Sequence, residues 1–193
     1  MVAEKVKKIK GNIKERSIEN AIRVASELID ELNINNVPVP IVKILNELGF
    51  AVYASDMPKQ NISGFIIINP ELNEKFNTDR VIAVERSDTL GRQRFTLAHE
   101  FAHYLFDFNE NISYSYIDTY DQNKAEDISE CIPSRFAAEF LMPKRIFISK
   151  YNELNNLSEY EKVSILMKDF DVSQKSVLKR IEELRLNNTT GNT

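Results

Sequence analysis

The 193-residue sequence contains one cysteine, Cys131, five glycines, six prolines and only two histidines. A single cysteine excludes an intramolecular disulfide, a cysteine-built zinc site and an iron–sulfur cluster, and it points to a reducing, cytoplasmic setting. With 42% hydrophobic and 28% charged residues and so little glycine and proline, the chain is neither of low complexity nor disordered. Its longest apolar run, around Phe65-Ile66-Ile67-Ile68, falls far short of the roughly 18 residues of a membrane helix. An excess of positive charge is also missing. The 25 Lys and Arg stand against 29 Asp and Glu, a net charge of -4, which excludes a generally basic, polyanion-coating protein. What remains is a globular chain long enough to bury a sizeable core, as one domain or one domain with a small appendage. Its two histidines, His99 and His103, stand four residues apart.

Hydrophobic periodicity divides the chain into an α+β pattern. Residues 1–16 carry six Lys/Arg against two Asp/Glu and read as a flexible basic N-terminus, a frayed and solvated helix, without the apolar segment of a secretory signal. Ile18, Ile22, Ala25, Ile29 and Leu32 recur at helical spacing, and Ile41 to Leu48 forms a shorter helix capped by Gly49. Phe50–Tyr53, Ile62–Ile68 and Arg80–Glu85 read as strands of a small three-stranded sheet. Asp88 or Thr89 caps a helix from Leu90 to Phe106 that holds both histidines. The segment Asp107–Glu130, with seven acidic residues and one lysine, reads as a long loop. Helix returns at Phe136–Leu141 and stops at Pro143. Ser158 with Glu161 and then Ser173 cap a final helical pair that ends near Leu186. The expected units are residues 17–150 as the main body, 151–186 as a helical subdomain and 187–193 as a disordered tail.

The chemistry is concentrated in Phe95-Thr96-Leu97-Ala98-His99-Glu100-Phe101-Ala102-His103, which contains H-E-x-x-H in a helical context. Residues four apart share one helix face, so both imidazoles reach a single cation, and zinc suits imidazole ligands. A catalytic zinc takes three protein ligands and keeps a fourth position for water. Without a third histidine, the third ligand is a carboxylate or Cys131. Glu100 is then placed as the general base of metal-assisted peptide hydrolysis.

The run from Arg92 to Leu105, followed by Phe136-Ala137-Ala138-Glu139-Phe140-Leu141-Met142-Pro143, resembles the ImmA/IrrE family of zinc metallopeptidases. The likeness extends roughly from Ile18 to Leu186. It implies a zincin-like core and a third ligand from the glutamate that opens an E-x-x-A-N segment in that family. Glu130 occupies that position here, with Pro133 and Ser134 in place of the Ala-Asn pair, and Glu126, one turn earlier, is the substitute. Proline disfavours helix at the residue before it, so the helix carrying Glu130 is expected to kink or to begin near Pro133. Ala102 stands where many members have glycine. The resemblance further implies a protein substrate, a helix-turn-helix repressor of the Xre type, whose cleavage relieves repression in mobile elements or stress responses.

Three other features bear on partners. The strand Gly64–Ile68 accepts an extended peptide if it lies at a sheet edge; Arg92 and Arg94 read as exposed helix-face charge, with oxyanion stabilisation as the functional alternative. The helical pair Ser158–Leu186 has six basic and six acidic residues, without the bias that phosphate contacts need, so it is expected to dock on the main body through Val163, Leu166, Met167, Phe170, Val177, Ile181 and Leu184. The rival to a protease is a non-catalytic zinc protein that sequesters a repressor or antitoxin.

Overall fold

The computed structural model describes residues 1–57, 62–108, 114–119 and 128–186. Helices α1 (Val2–Gly11), α2 (Ile18–Glu31) and α3 (Ile41–Glu47) precede strands β1 (Ala51–Ser55) and β2 (Ile62–Ile68). The short helix α4 (Asn73–Phe76) leads to β3 (Arg80–Glu85), and α5 (Leu90–Phe106) to β4 (Tyr114–Thr119). Helices α6 (Ile128–Leu141), α7 (Lys144–Glu153), α8 (Glu159–Phe170) and α9 (Gln174–Glu183) complete the described chain. The fold is α+β, as expected, and no helix among the described residues is long and apolar enough to cross a membrane.

Short polar side chains set the helix starts. Ser17, Thr89, Ser158 and Ser173 each accept a hydrogen bond from a first-turn amide, and Ser158 forms a full capping box with Glu161. Gly49, at φ +85°, ends α3: its amide bonds to Asn46 O and that of Phe50 to Leu45 O, each at 3.0 Å. That left-handed position is open to glycine without a steric penalty. In α2 the buried face is Ala21, Val24, Ala25, Leu28 and Ile29, so the expected face is met at Ala25 and Ile29, while Ile18 and Ile22 are exposed.

The three expected strands are present, but among the described residues the sheet has four strands rather than three, in the order β1-β3-β2-β4. β1 runs parallel to β3, and β2 pairs antiparallel with both β3 and β4. The fourth strand comes from the acidic segment expected to be a loop. β2 is therefore internal, and Gly64–Ile68 cannot receive an added peptide strand. Ile66 pairs with Ile82 on one side and Tyr116 on the other.

Every residue of α5 from Thr96 to Leu105 is buried, because the sheet lies on one side and α6 on another. A Cβ at Gly64 would stand 2.5 Å from Thr96 Cγ2, so glycine is what lets β2 approach α5 this closely. Against α6, Phe101 meets Phe136 and Phe140 edge-on at centroid distances of 5.7 and 5.9 Å, and all three are fully buried. Such burial is worth about 1.5–3 kcal/mol per side chain, with about 0.5–1.5 kcal/mol more for each well-placed ring pair. This packing carries α6 through Pro133: the helix begins at Ile128, five residues before the proline rather than near it.

The basic N-terminal segment is helical, as expected, over Val2–Gly11 (α1), but it is not wholly solvated: Val6 and Ile9 are buried in the core. At the other end, α8 and α9 dock as expected through buried Val163, Leu166, Phe170, Val177 and Ile181, with Met167 and Leu184 only partly buried against the core. A buried ion pair fastens them. Arg180 pairs with Glu139 on α6 and donates from Nε to Met142 O at 3.1 Å, while Glu139 also accepts from the Lys144 amide at 2.9 Å. The expected tail, 187–193, lies outside the described residues.

Candidate metal centre

Two helices build the site. The four-residue spacing on α5 sets His99 and His103 one turn apart, with ring centroids 5.0 Å apart and both residues buried. The first turn of α6 brings Glu130 against them from a point distant in sequence. His99 Nε2 lies 3.3 Å from His103 Nε2 and 3.2 Å from Glu130 Oε2, and the third edge, from His103 Nε2 to Glu130 Oε2, is 3.9 Å. Together His99, His103 and Glu130 form a group able to hold a metal ion.

Hydrogen bonding decides what faces the centre. His103 Nδ1 lies 2.6 Å from Asp107 Oδ2. A carboxylate only accepts, so the proton sits on Nδ1 and a neutral ring turns its Nε2 lone pair inward. Burial also pushes the His103 imidazole below its ordinary pKa, against the opposing hydrogen bond from Asp107, which favours that neutral form near pH 7. On the other ring, Ser134 Oγ stands 3.4 Å from His99 Nδ1, on the side away from Glu130.

Two imidazole nitrogens and a carboxylate oxygen therefore converge on one point, with His103 Nε2 and the carboxylate turning electron pairs toward it. Such an arrangement repels itself unless a cation or proton lies between the donors. With metal–ligand bonds of about 2.0–2.2 Å, the edges of a tetrahedral zinc site are about 3.3–3.6 Å. The observed edges of 3.2 and 3.3 Å match, and that of 3.9 Å is longer. The donor set fits zinc: borderline nitrogen ligands with one oxygen, and three protein groups rather than four.

The other sequence candidates fall as follows. Glu100, next to His99, is fully buried, a rare state for a carboxylate. Cys131 is partly exposed and is not among the three clustered donors, and Glu126 lies outside the described residues. Ala102 is fully buried. Arg94 is not an exposed helix-face charge: its side chain is 13% accessible and donates to the carbonyls of Asp171 at 3.1 Å and Val39 at 2.8 Å. Arg92 donates to Asp88 and to Ser63 Oγ, each at 2.9 Å. Both arginines brace the fold around α5.

Sequence reasoning left Asp107 and Ser134 unassigned. The signal was the same one that singled out the histidines. Asp107 is four residues after His103 and Ser134 four after Glu130, so each supporting group lies one turn beyond a ligand on its own helix face.

Comparison with solved structures finds similarity to a Mycobacterium tuberculosis transcriptional regulator, at a TM-score of 0.56 and 15% sequence identity, covering 99% of this chain and 54% of that one. The chain thus spans about half the length of that structure, and the likeness is one of fold. No curated protein sequence matches significantly. A family model described as Peptidase_M78, the IrrE N-terminal-like domain, matches residues 45–182, which include both histidines, Glu100 and Glu130; the chain belongs to this peptidase family.

Proposed function

We propose that the chain is a zinc-dependent metalloendopeptidase that hydrolyses a peptide bond in a protein partner. The observation that carries this reading is the convergence of His99 Nε2, His103 Nε2 and Glu130 Oε2 within 3.2–3.9 Å, beside a fully buried Glu100, in a member of a peptidase family. His99, His103 and Glu130 would hold the ion, which when bound supplies Lewis-acid polarisation of a carbonyl and of water. Asp107 keeps the His103 proton on Nδ1. Glu100 takes the proton from the attacking water as the carbonyl carbon gains its new C–O bond, then delivers it to the amine nitrogen as the C–N bond breaks.

An Xre-type helix-turn-helix repressor is the proposed substrate. The support is the family resemblance, together with the fold similarity to a protein described as a transcriptional regulator. An extended segment of it adds to β4, the sheet-edge strand that precedes α6 in the chain. The proposed setting is cytoplasmic, in keeping with the single cysteine.

The test pairs wild type with Glu100→Gln, each incubated with zinc and a purified candidate repressor, with fragments sized by mass spectrometry. Glu100→Gln is expected to keep about one zinc per chain while cleavage falls by about 100-fold or more. Normal turnover in that variant refutes the mechanism. Tight repressor binding without cleavage, equal in both proteins, favours the sequestering alternative.

A further inference from the structure

The C-terminal turn of the metal helix is gripped by residues that lie outside the family match of 45–182. Asp107, the C-cap of α5, places a negative charge at the helix end where the macrodipole is already negative. Its service to His103 Nδ1, at 2.6 Å, accounts for a carboxylate in so unfavourable a place, and the adjacent N-terminal segment supplies compensating charge. Arg16 sets Nε 3.0 Å from Asp107 Oδ1 and Nη2 3.3 Å from Oδ2, so two N–H groups of one planar fork meet the two carboxylate oxygens. Six residues earlier, Lys10 donates from Nζ to the carbonyls of Tyr104 at 2.6 Å and Phe108 at 2.8 Å. The same ammonium lies 4.7 and 4.9 Å from the centroids of those two rings. Arg16 directly precedes Ser17, the cap of α2, so its backbone is anchored.

We infer that Arg16 is a positioning residue of the metal centre: it fixes the Asp107 carboxylate, and through it the orientation of His103. This rests on the reading of His99, His103 and Glu130 as metal ligands. Two physical effects of Arg16 oppose each other, and their signs separate them. As a bare positive charge it repels a cation, so its removal would tighten metal binding. As a fork that holds Asp107 in place it favours metal binding, so its removal would loosen it. Lysine keeps the charge but offers no planar fork.

The experiment measures zinc dissociation constants of the metal-stripped full chain by competition with a chromogenic chelator. Arg16→Ala is expected to weaken zinc binding by about 3- to 10-fold, Arg16→Lys by a smaller factor, and Asp107→Ala by about 10- to 100-fold. In the Asp107→Ala background, Arg16→Ala should add less than about two-fold, because nothing remains for it to position. The exchange rate of the His103 Nδ1 proton, followed by NMR in the metal-free chain, should rise in Arg16→Ala. Arg16→Lys carries the test if the alanine variant fails to fold. Unchanged or tighter zinc binding in Arg16→Ala overturns the inference, as does a loss undiminished when Asp107 is absent. A wild-type chain that binds no zinc overturns the metal reading itself.

Discussion

Replacing Gly91 with alanine tests how the C-terminal helical pair is seated on the metal helix. Gly91 lies in the first turn of α5, and an added Cβ would stand 2.7 Å from Ser173 N, 2.7 Å from Val172 C and 2.9 Å from Val172 Cα. Ordinary carbon contacts are about 3.5–4.0 Å, so each overlap is close to 1 Å. All three atoms belong to the backbone of the α8–α9 turn, which no side-chain rotation can clear. Either α5 or the turn must retreat, weakening the contacts of buried Val172 and the bond from Arg94 Nε to Asp171 O. Overpacking costs typically about 1–3 kcal/mol, and three simultaneous backbone overlaps put this site near the upper end. Against that, alanine in place of glycine within a helix gains up to about 1 kcal/mol. The net expectation is a loss of about 2 kcal/mol, which for a chain of this length lowers Tm by about 4–8 °C. Thermal melts of the metal-free protein by circular dichroism read this directly. Helix propensity alone predicts the opposite sign. A Gly91→Ala protein as stable as wild type, or more so, would refute the close seating of the turn on α5.

Other perturbations have equally definite outcomes. Arg180→Met should cost about 3–5 kcal/mol, because it leaves Glu139 buried without its cation, whereas the double variant Arg180→Met/Glu139→Gln should recover much of that; urea denaturation measures both. Zinc at 100 times its dissociation constant should stabilise the chain by about 2.7 kcal/mol, raising Tm by about 5–11 °C. A chelator should reverse that shift, and Glu130→Ala should greatly reduce it. The pH dependence concerns Glu159, whose carboxyl is held below its ordinary range chiefly by the hydrogen bond from Lys162, at 2.8 Å, with Tyr151 OH adding another at 3.1 Å. A lowered carboxylate pKa stabilises the fold above the ordinary glutamate value of about 4.3 and loses that contribution as pH falls through the lowered value. Wild type should therefore be slightly more stable than Glu159→Gln at pH 7, and melts at successively lower pH should show the difference shrinking once the pH falls below the ordinary glutamate value.

What could be read from the sequence depended on whether local pattern or distant pairing makes each element. Helix α5 has its cap, its period and its motif in one continuous run, and α8 and α9 carry their own caps, so these were legible. β4 was not, because Tyr114–Thr119 sits in an acidic stretch with little alternation and becomes a strand by pairing with β2. Helix α6 starts well before the periodic run Phe136–Leu141 that marks it in the sequence: Pro133 removes one hydrogen bond, but Phe136 and Phe140 packed on Phe101 offset that loss. The N-terminal segment reads as a solvated helix because of its six basic residues, whereas Lys10 donates its ammonium to the carbonyls of Tyr104 and Phe108 and sits over both rings.

The same distinction applies within the metal centre. His99, His103 and Asp107 form one four-residue ladder on α5, and Glu130 and Ser134 form another on α6. Each ladder is local and readable, since one helical turn separates its members: Asp107 supports His103 from the same ladder, whereas Ser134 reaches across to His99 Nδ1 on the other helix. What no local pattern specifies is that the two ladders meet. That meeting depends on the Phe101, Phe136 and Phe140 contact between the helices and on Gly64 admitting the sheet to the side of α5. Residues without any role in the chemistry thus set the 3.2 Å between His99 and Glu130. Substitutions in that apolar contact should accordingly weaken zinc binding even where both ladders remain intact.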